Sequence, residues 1–272
     1  MGWNIGHTGE TGLFVGCENI IRDNLIFYLD PGDYNCVPDS TGNDGEVTEL
    51  ALGDVGGITS GDDEINDIWA LADGGPCFTL DPADDAHINF PLVDVSKFVT
   101  GGSDTTGAIT SCIWFRTSHM DGSADGGLVF IEGHTYGVFI NDGDIQQYAA
   151  DTPGTQHEYT VLDVTPYDDD NWHFLVGVMN NTSSTIGDTS AGACAIYIDD
   201  MVTPAATSTF DSSFQFRTID TDLNIGLLDS NTWEYEGEIG PVMIYSDYCL
   251  DEDERSINYN YHRHRYYDTA IG

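Results

Sequence analysis

From residue 236 to residue 267 the chain reads EGEIGPVMIYSDYCLDEDERSINYNYHRHRYY, and two periodicities meet in it. The first part is a short run rich in Val, Ile and Tyr between polar residues, the signature of a strand over 236–245. After Leu250 the pattern becomes that of a helix. Asp251 is placed to cap it, Glu254 stands three residues on to complete a capping box, and acids fill the first turn. Arg263 and Arg265 fall at the far end, where cations suit the helix dipole; with Arg255 they are three of the chain's seven basic residues. We read them as dipole partners and local neutralisers of acid rather than as an anion site. Ile257 and Tyr261 lie on one face at i, i+4 and are expected to cover an apolar patch beside the strand.

Upstream of this stretch helical periodicity is almost absent. Gly and Asp punctuate short runs of Val, Ile, Phe, Tyr and Thr, giving strand candidates at 24–29, 77–80, 87–90, 109–117, 127–131, 136–140, 159–163, 172–179, 193–198 and 222–225. Asn141-Asp142-Gly143-Asp144 reads as a hairpin turn, because Asp-Gly supplies the positive φ angles such a turn needs. The expected fold is all-β: a two-sheet antiparallel sandwich of jelly-roll type with one short C-terminal helix. No Pro/Ser/Gly linker divides the chain, so the expected organisation is an N-terminal arm over 1–21, the sandwich over 22–249, and a helix and tail over 250–272 that close it.

Composition narrows the partners. Against 47 acidic residues stand seven basic ones, of which only Lys97 is a lysine, for a formal net charge of −40 over 272 residues. In molar salt the screening length falls to about 3 Å and most of this self-repulsion disappears, so the surface reads as adapted to brine. Disordered acidic tails lack core residues, whereas 40% of this chain is hydrophobic and 11% aromatic. Phosphate backbones and anionic headgroups repel such a surface, which excludes nucleic acid as a ligand. No run approaches the ~18 apolar residues of a membrane span, and the first residues show no signal-peptide pattern. Six cysteines (Cys17, Cys36, Cys77, Cys112, Cys194, Cys249) show neither C-x-x-C nor zinc spacing; Cys112 and Cys194, inside apolar runs, read as free buried thiols.

Taken in order, particular segments carry a resemblance. These are LIFYLDPGDYN from Leu25, DSTGNDGEV from Asp39, FTLDPADDAHINF from Phe78, ITSCIWFRTS from Ile109, DNWHFLVGVM from Asp170, AIYIDDMV from Ala195 and the closing stretch from Asn224. Over about residues 22–267 the chain resembles the laminin-G-like members of the concanavalin A-like jelly-roll superfamily, in the versions found in virion proteins of tailed viruses. It departs from that pattern at Asp44, where Asn is usual, and at Asp200, where Gly is usual. The ordered set is specific for fold. The superfamily hosts lectins, glycan hydrolases, adhesion modules and virion parts on one scaffold, so function must come from the site.

Few residues invite chemistry. In 172–176 alternate side chains point to opposite faces, so Trp172 and Phe174 are expected to fill the sandwich while His173, on the other side, has no catalytic duty. Glu234, Glu236 and Glu238 at period two would present three carboxylates on one strand face, but the spacing is not the E-x-D-x-x-E of jelly-roll glucanases, and a solvated edge is the preferred reading. The laminin-G resemblance implies a rim calcium, for which Asp84 and Asp85, or Asp199 and Asp200, would supply oxygens. Tyr259, Tyr261, His262, Arg263, His264, Arg265, Tyr266 and Tyr267 form a basic-aromatic tail that is either a clasp on the sandwich or an interface to a partner. The glycine-rich start, 2–16, reads as a docking arm, and Ser-His-Asp, Walker and dinucleotide motifs are absent.

Together these readings favour a non-enzymatic structural subunit of a tailed virus of a salt-loving host: head decoration, vertex turret or tail component. Its partners would be other copies of itself, other virion proteins and host surface glycans, without membrane insertion. It would be assembled in the host cytoplasm and carried on the virion. The alternatives are a carbohydrate-binding module, viral or extracellular, and, behind it, a jelly-roll glycoside hydrolase.

Overall fold

The computed structural model describes residues 20–21, 23–31, 69–72, 75–81, 87–93, 107–120, 125–131, 136–150, 156–181, 193–209, 221–228 and 233–267. Two antiparallel sheets face each other. The larger runs β12 (Ala206–Thr209), β11 (Ala193–Ile198), β10 (His173–Asn180), β5 (Ala108–Arg116), β14 (Gly237–Ser246), β3 (Gly75–Leu80) and β2 (Trp69–Ala72). Its eighth strand, β1 (Leu25–Leu29), pairs with the later part of β14, while β3 pairs with its beginning. The smaller sheet runs β4 (Ile88–Val93), β13 (Thr221–Ile225), β6 (Gly126–Ile131), β7 (Tyr136–Asn141), β8 (Asp144–Ala150) and β9 (Gln156–Asp163). The β7–β8 hairpin turns as its Asp-Gly dictates, with Asp142 at φ 51° and Gly143 at φ 80°.

The core between the sheets is aliphatic, with Ile109, Ile113, Leu175, Ile196 and Val242 from the larger sheet against Leu128, Val138, Ile140, Ile145 and Leu223 from the smaller. The larger sheet is buried on its other face as well. There Trp114, Trp172, Phe174, Val176, Met243 and Tyr245 lie under the helix α1 (Glu252–Tyr266). This corrects one expectation: Trp172 and Phe174 pack on the outer face beneath α1, not between the sheets. Strands buried on both sides read as continuous apolar runs, which hides which face is the inner one.

α1 starts as its sequence requires. The Asp251 carboxylate accepts from the Glu254 amide and Glu254 Oε2 accepts from the Asp251 amide, both at 2.9 Å. Its packing face, however, is Arg255, Asn258, His262 and Tyr266, whereas Ile257 is 43% exposed and Tyr261 only partly buried. The correction has a physical reason, since each of the three polar residues is buried with its hydrogen bonds made. Arg255 donates to the Met201 and Leu250 carbonyls and lies 3.8 Å over the Tyr197 ring. Asn258 accepts from the Ile21 amide and donates to the Tyr245 hydroxyl. Tyr266 stacks on Trp114 and Trp172, with ring centroids 4.8 and 4.4 Å apart. Gly240 lets the tyrosine in, because a Cβ there would sit 2.6 Å from its hydroxyl.

Near the end of α1, Arg265 Nη1 donates to both oxygens of the buried Asp30, at 2.6 and 2.7 Å. The Tyr28 hydroxyl donates to Asp30 Oδ2 and lies 2.9 Å from His262 Nε2. His262 Nδ1 lies 3.2 Å from the Asn258 carbonyl, so both ring nitrogens have a partner. Burial, reinforced by Arg265 and outweighing the attraction of Asp30, lowers the His262 pKa to about 4.

Candidate functional site at one end of the sandwich

The end of β5, the start of β10, the end of β11 and the approach to β14 meet at one end of the larger sheet, where His173 pairs in register with Phe115, and Arg116 with Glu238. At its centre is His173. Its Nδ1 donates to Asp199 Oδ2 at 2.7 Å and its Nε2 to Asp169 Oδ1 at 3.0 Å. Burial would lower the pKa of this imidazole, but the hydrogen bonds and charges of Asp199 and Asp169 outweigh it and the net shift is upward. The ring lies against Phe115 and meets Tyr167 edge to face.

Backbone conformation places the two carboxylates. Asp199, at φ 59°, ends β11 in the left-handed region that Asp tolerates better than most residues, and its Oδ1 accepts from the Phe174 amide. The Tyr267 hydroxyl, at the end of α1, reaches the Trp172 carbonyl (2.8 Å) and Asp199 Oδ1 (3.2 Å). Asp169 instead belongs to a surface segment after the 3-10 turn Thr165–Tyr167, and its other hydrogen bonds all run to Asn171. Burial opposes, but the hydrogen bonds from Asn171 and His173 outweigh it, so the Asp169 carboxyl is held below its usual range.

A second group lies alongside. Arg116 pairs with Asp170 at 2.8 Å and approaches Glu238 at 3.8 Å; burial, only partly offset by this arginine, raises the Glu238 pKa. His119 lies 3.3 Å from Glu236. The expected triple of Glu234, Glu236 and Glu238 on one strand face is not formed. Glu234 sits in an isolated bridge to Leu227, Tyr235 turns inward to donate to the Arg116 carbonyl, and β14 begins only at Gly237, at φ 148°. Trp233 (38%) and Tyr267 (41%) are exposed at this end, with Tyr167 half-buried against His173.

Of the calcium candidates, Asp84 and Asp85 lie outside the described residues. Asp199 and Asp200 are described and do not converge: Asp199 serves His173, while Asp200 accepts from the Val202 and Thr203 amides of its own turn. Among the described residues no group of three or more His, Cys, Asp or Glu is arranged to hold a metal. Of the tail residues, His262 and Tyr266 are buried within the chain, Arg265 binds Asp30, and Arg263, His264 and Tyr267 remain exposed. The arm over 2–16 is outside the described residues, as are Cys17 and Cys36, while Cys112 and Cys194 are free and buried and Cys77 and Cys249 are buried. Sequence reasoning missed the bracketing of His173 and the part Arg116 plays. The available signal was the run Asp168-Asp169-Asp170, which puts a carboxylate four residues ahead of the histidine.

No family model matches the chain, and no curated protein matches it. Among solved structures it is similar to the ligand-binding domain of botulinum neurotoxin serotype D solved with N-acetylneuraminic acid, with a TM-score of 0.57, 14% identity, and 88% of this chain matched to 51% of that one. It is also similar to the binding domain of paraclostridial mosquitocidal protein 1, with a TM-score of 0.56, 14% identity, and 87% matched to 52%. A further structure of the serotype D binding domain matches at 0.53 and 15% identity, over 88% and 52%. The chain thus spans about half the length of these solved structures, and at such identity the likeness is one of fold. It bears out the two-sheet sandwich.

Proposed function

We propose that the chain is a non-enzymatic binding module that recognises a neutral glycan with this end of the sandwich. The observation that carries the reading is that nearly nine-tenths of the chain matches chains named as binding domains, one of them solved with a sugar acid. Since only half of that chain is matched, its sugar does not locate a site here. The site is chosen from this molecule: Trp233 and Tyr267 offer exposed rings for a sugar face, and Asp169, Asp170 and Asp200 offer acceptors for hydroxyl donors. A net charge of −40 disfavours sialylated or sulfated ligands and favours uncharged ones. The test is a glycan array probed at molar salt. Neutral glycans are expected to bind and anionic ones not, and Trp233→Ala to weaken binding about tenfold, ~1.4 kcal/mol. Hydrolysis of a bound polysaccharide, or retention of anionic glycans alone, would overturn the reading.

As the setting of this module we propose the outer surface of a virus particle in brine, a reading supported by the acidic charge. Contacts between copies, or with other virion proteins, would then use surfaces poor in acid, such as the exposed Arg263 and His264. Mass spectrometry of purified particles tests it: tens of copies are expected for a head protein and a few for a tail fibre, and absence from the particles refutes it.

A further inference from the structure

We propose that His173 is a pH-operated clasp: protonated, it ties the Asp169 carboxylate, with Asn171 bonded to it, to the end of β11, and on losing a proton it releases that carboxylate while keeping Asp199. Any effect of this on ligand binding rests on the glycan reading above; the clasp itself does not.

The geometry carries the argument. Carboxylate oxygens only accept hydrogen bonds, and each ring nitrogen of His173 faces one, at 2.7 and 3.0 Å. A neutral imidazole has a single N–H, so only the imidazolium satisfies both contacts. When the proton leaves, one nitrogen lone pair must face a carboxylate. Nδ1 keeps its proton, because its bond is the shorter and Asp199 is fixed by the Phe174 amide and the Tyr267 hydroxyl. Nε2 therefore turns a lone pair on Asp169 Oδ1. Asp169 can yield, being 44% exposed and otherwise bonded only to Asn171. The backbone stays moored around it, by Asp168 to the Met120 amide and by the Asp170 amide to the Thr117 carbonyl, so the motion is confined to the Asp169 carboxylate and the Asn171 groups bonded to it.

Titratable groups of several elements face this cluster. Asp169 faces the ring from its own segment, Asp199 from the end of β11, Tyr167 from the 3-10 turn, and Tyr267 from α1 by way of Asp199. Arg116, one register position along, is held by Asp170. The upward shift of the imidazole puts the release above the ordinary histidine range of about 6.5.

The test is imidazole nitrogen NMR of the full chain in molar salt without ligand, with His173 assigned by comparison with Asp169→Asn. Below the transition both His173 nitrogens are expected to be protonated. Through a midpoint above about 6.5, Nε2 alone should become unprotonated, the Asn171 amide should shift with the same midpoint, and Asp169→Asn should lower that midpoint. A singly protonated His173 at pH 6, loss of the proton from Nδ1, or an Asn171 amide that ignores the titration would each overturn the proposal. A glycan array that found no ligand would leave all three readouts intact.

Discussion

His173 and His262 are both buried histidines beside aspartate, and their proton affinities are shifted in opposite directions. His262 is fully buried, and its neighbour Asp30, 3.8 Å away, already has both oxygens taken by Arg265; the imidazole stays neutral. His173 sits at the rim with two carboxylates, neither committed to a strong cation, and holds its proton more tightly than an ordinary histidine. What decides between them is whether the nearby carboxylate is already spoken for, not its mere proximity. The core-side pair belongs to the helix clasp, and the rim-side triad to the loop end.

The hardest test of that contrast is to remove the carboxylate at each place. Asp30→Ala leaves Arg265 without its buried partner and should cost about 3–5 kcal/mol, measured by denaturant unfolding. Asp169→Ala, at an exposed rim, should cost about 1 kcal/mol or less. Equal losses would erase the distinction. Proton linkage comes next in size. Because the folded pKa of His262 is depressed, its unfolded state binds more protons between about pH 6.5 and 4, so stability should fall as pH drops through that window, by on the order of 3 kcal/mol. The sign reverses for His173. Its raised folded pKa gives stability that is complete below about pH 6.5 and is lost as pH rises through the folded value. Stability curves of His262→Gln and His173→Gln should therefore flatten on the acid and the alkaline side respectively. The smallest effect is that of salt. Going from about 0.1 M to 3 M should move the His173 titration down toward the ordinary histidine value and leave that of His262 in place, since screening reaches exposed carboxylates and not buried ones.

Much of the architecture was legible before any coordinates. The capping box at Asp251, the Asp-Gly hairpin and the long apolar strands each announce themselves through local chemistry that the tertiary structure does not override. Three strands escaped. β2 and β12 are only four residues long, and β8 carries Gln146 and Gln147, which are buried but break the apolar alternation. The packing face of α1 was misread because hydrophobicity ranks Ile257 above Arg255, Asn258 and His262, and the hydrogen-bonding partners that reverse this ranking come from Met201 and Tyr28, far away in the chain, and from Tyr245 on β14. The candidate site was the least legible part. Asp169 precedes His173 closely enough to be noticed, whereas Asp199 and Tyr267 reach the ring region only by the β10–β11 pairing and the course of α1.

The central place of β14 has a consequence for how the protein is made. β1 and β3 both pair with it, yet it is synthesised roughly 150 residues after β3, on the order of 10–30 s later at ordinary elongation rates. Throughout that interval β1 lacks its partner and β3 has only β2 beside it, while β5 waits for β10 and gains no other neighbour before β14. Even then the outer face of the larger sheet stays open to water until α1 emerges. The nascent chain therefore carries a long-lived sticky intermediate whose protection is its own negative charge, which keeps neighbouring unfinished chains apart. Molar salt would screen that protection, so crowding of ribosomes on one message at high salt should be the condition that this fold tolerates least.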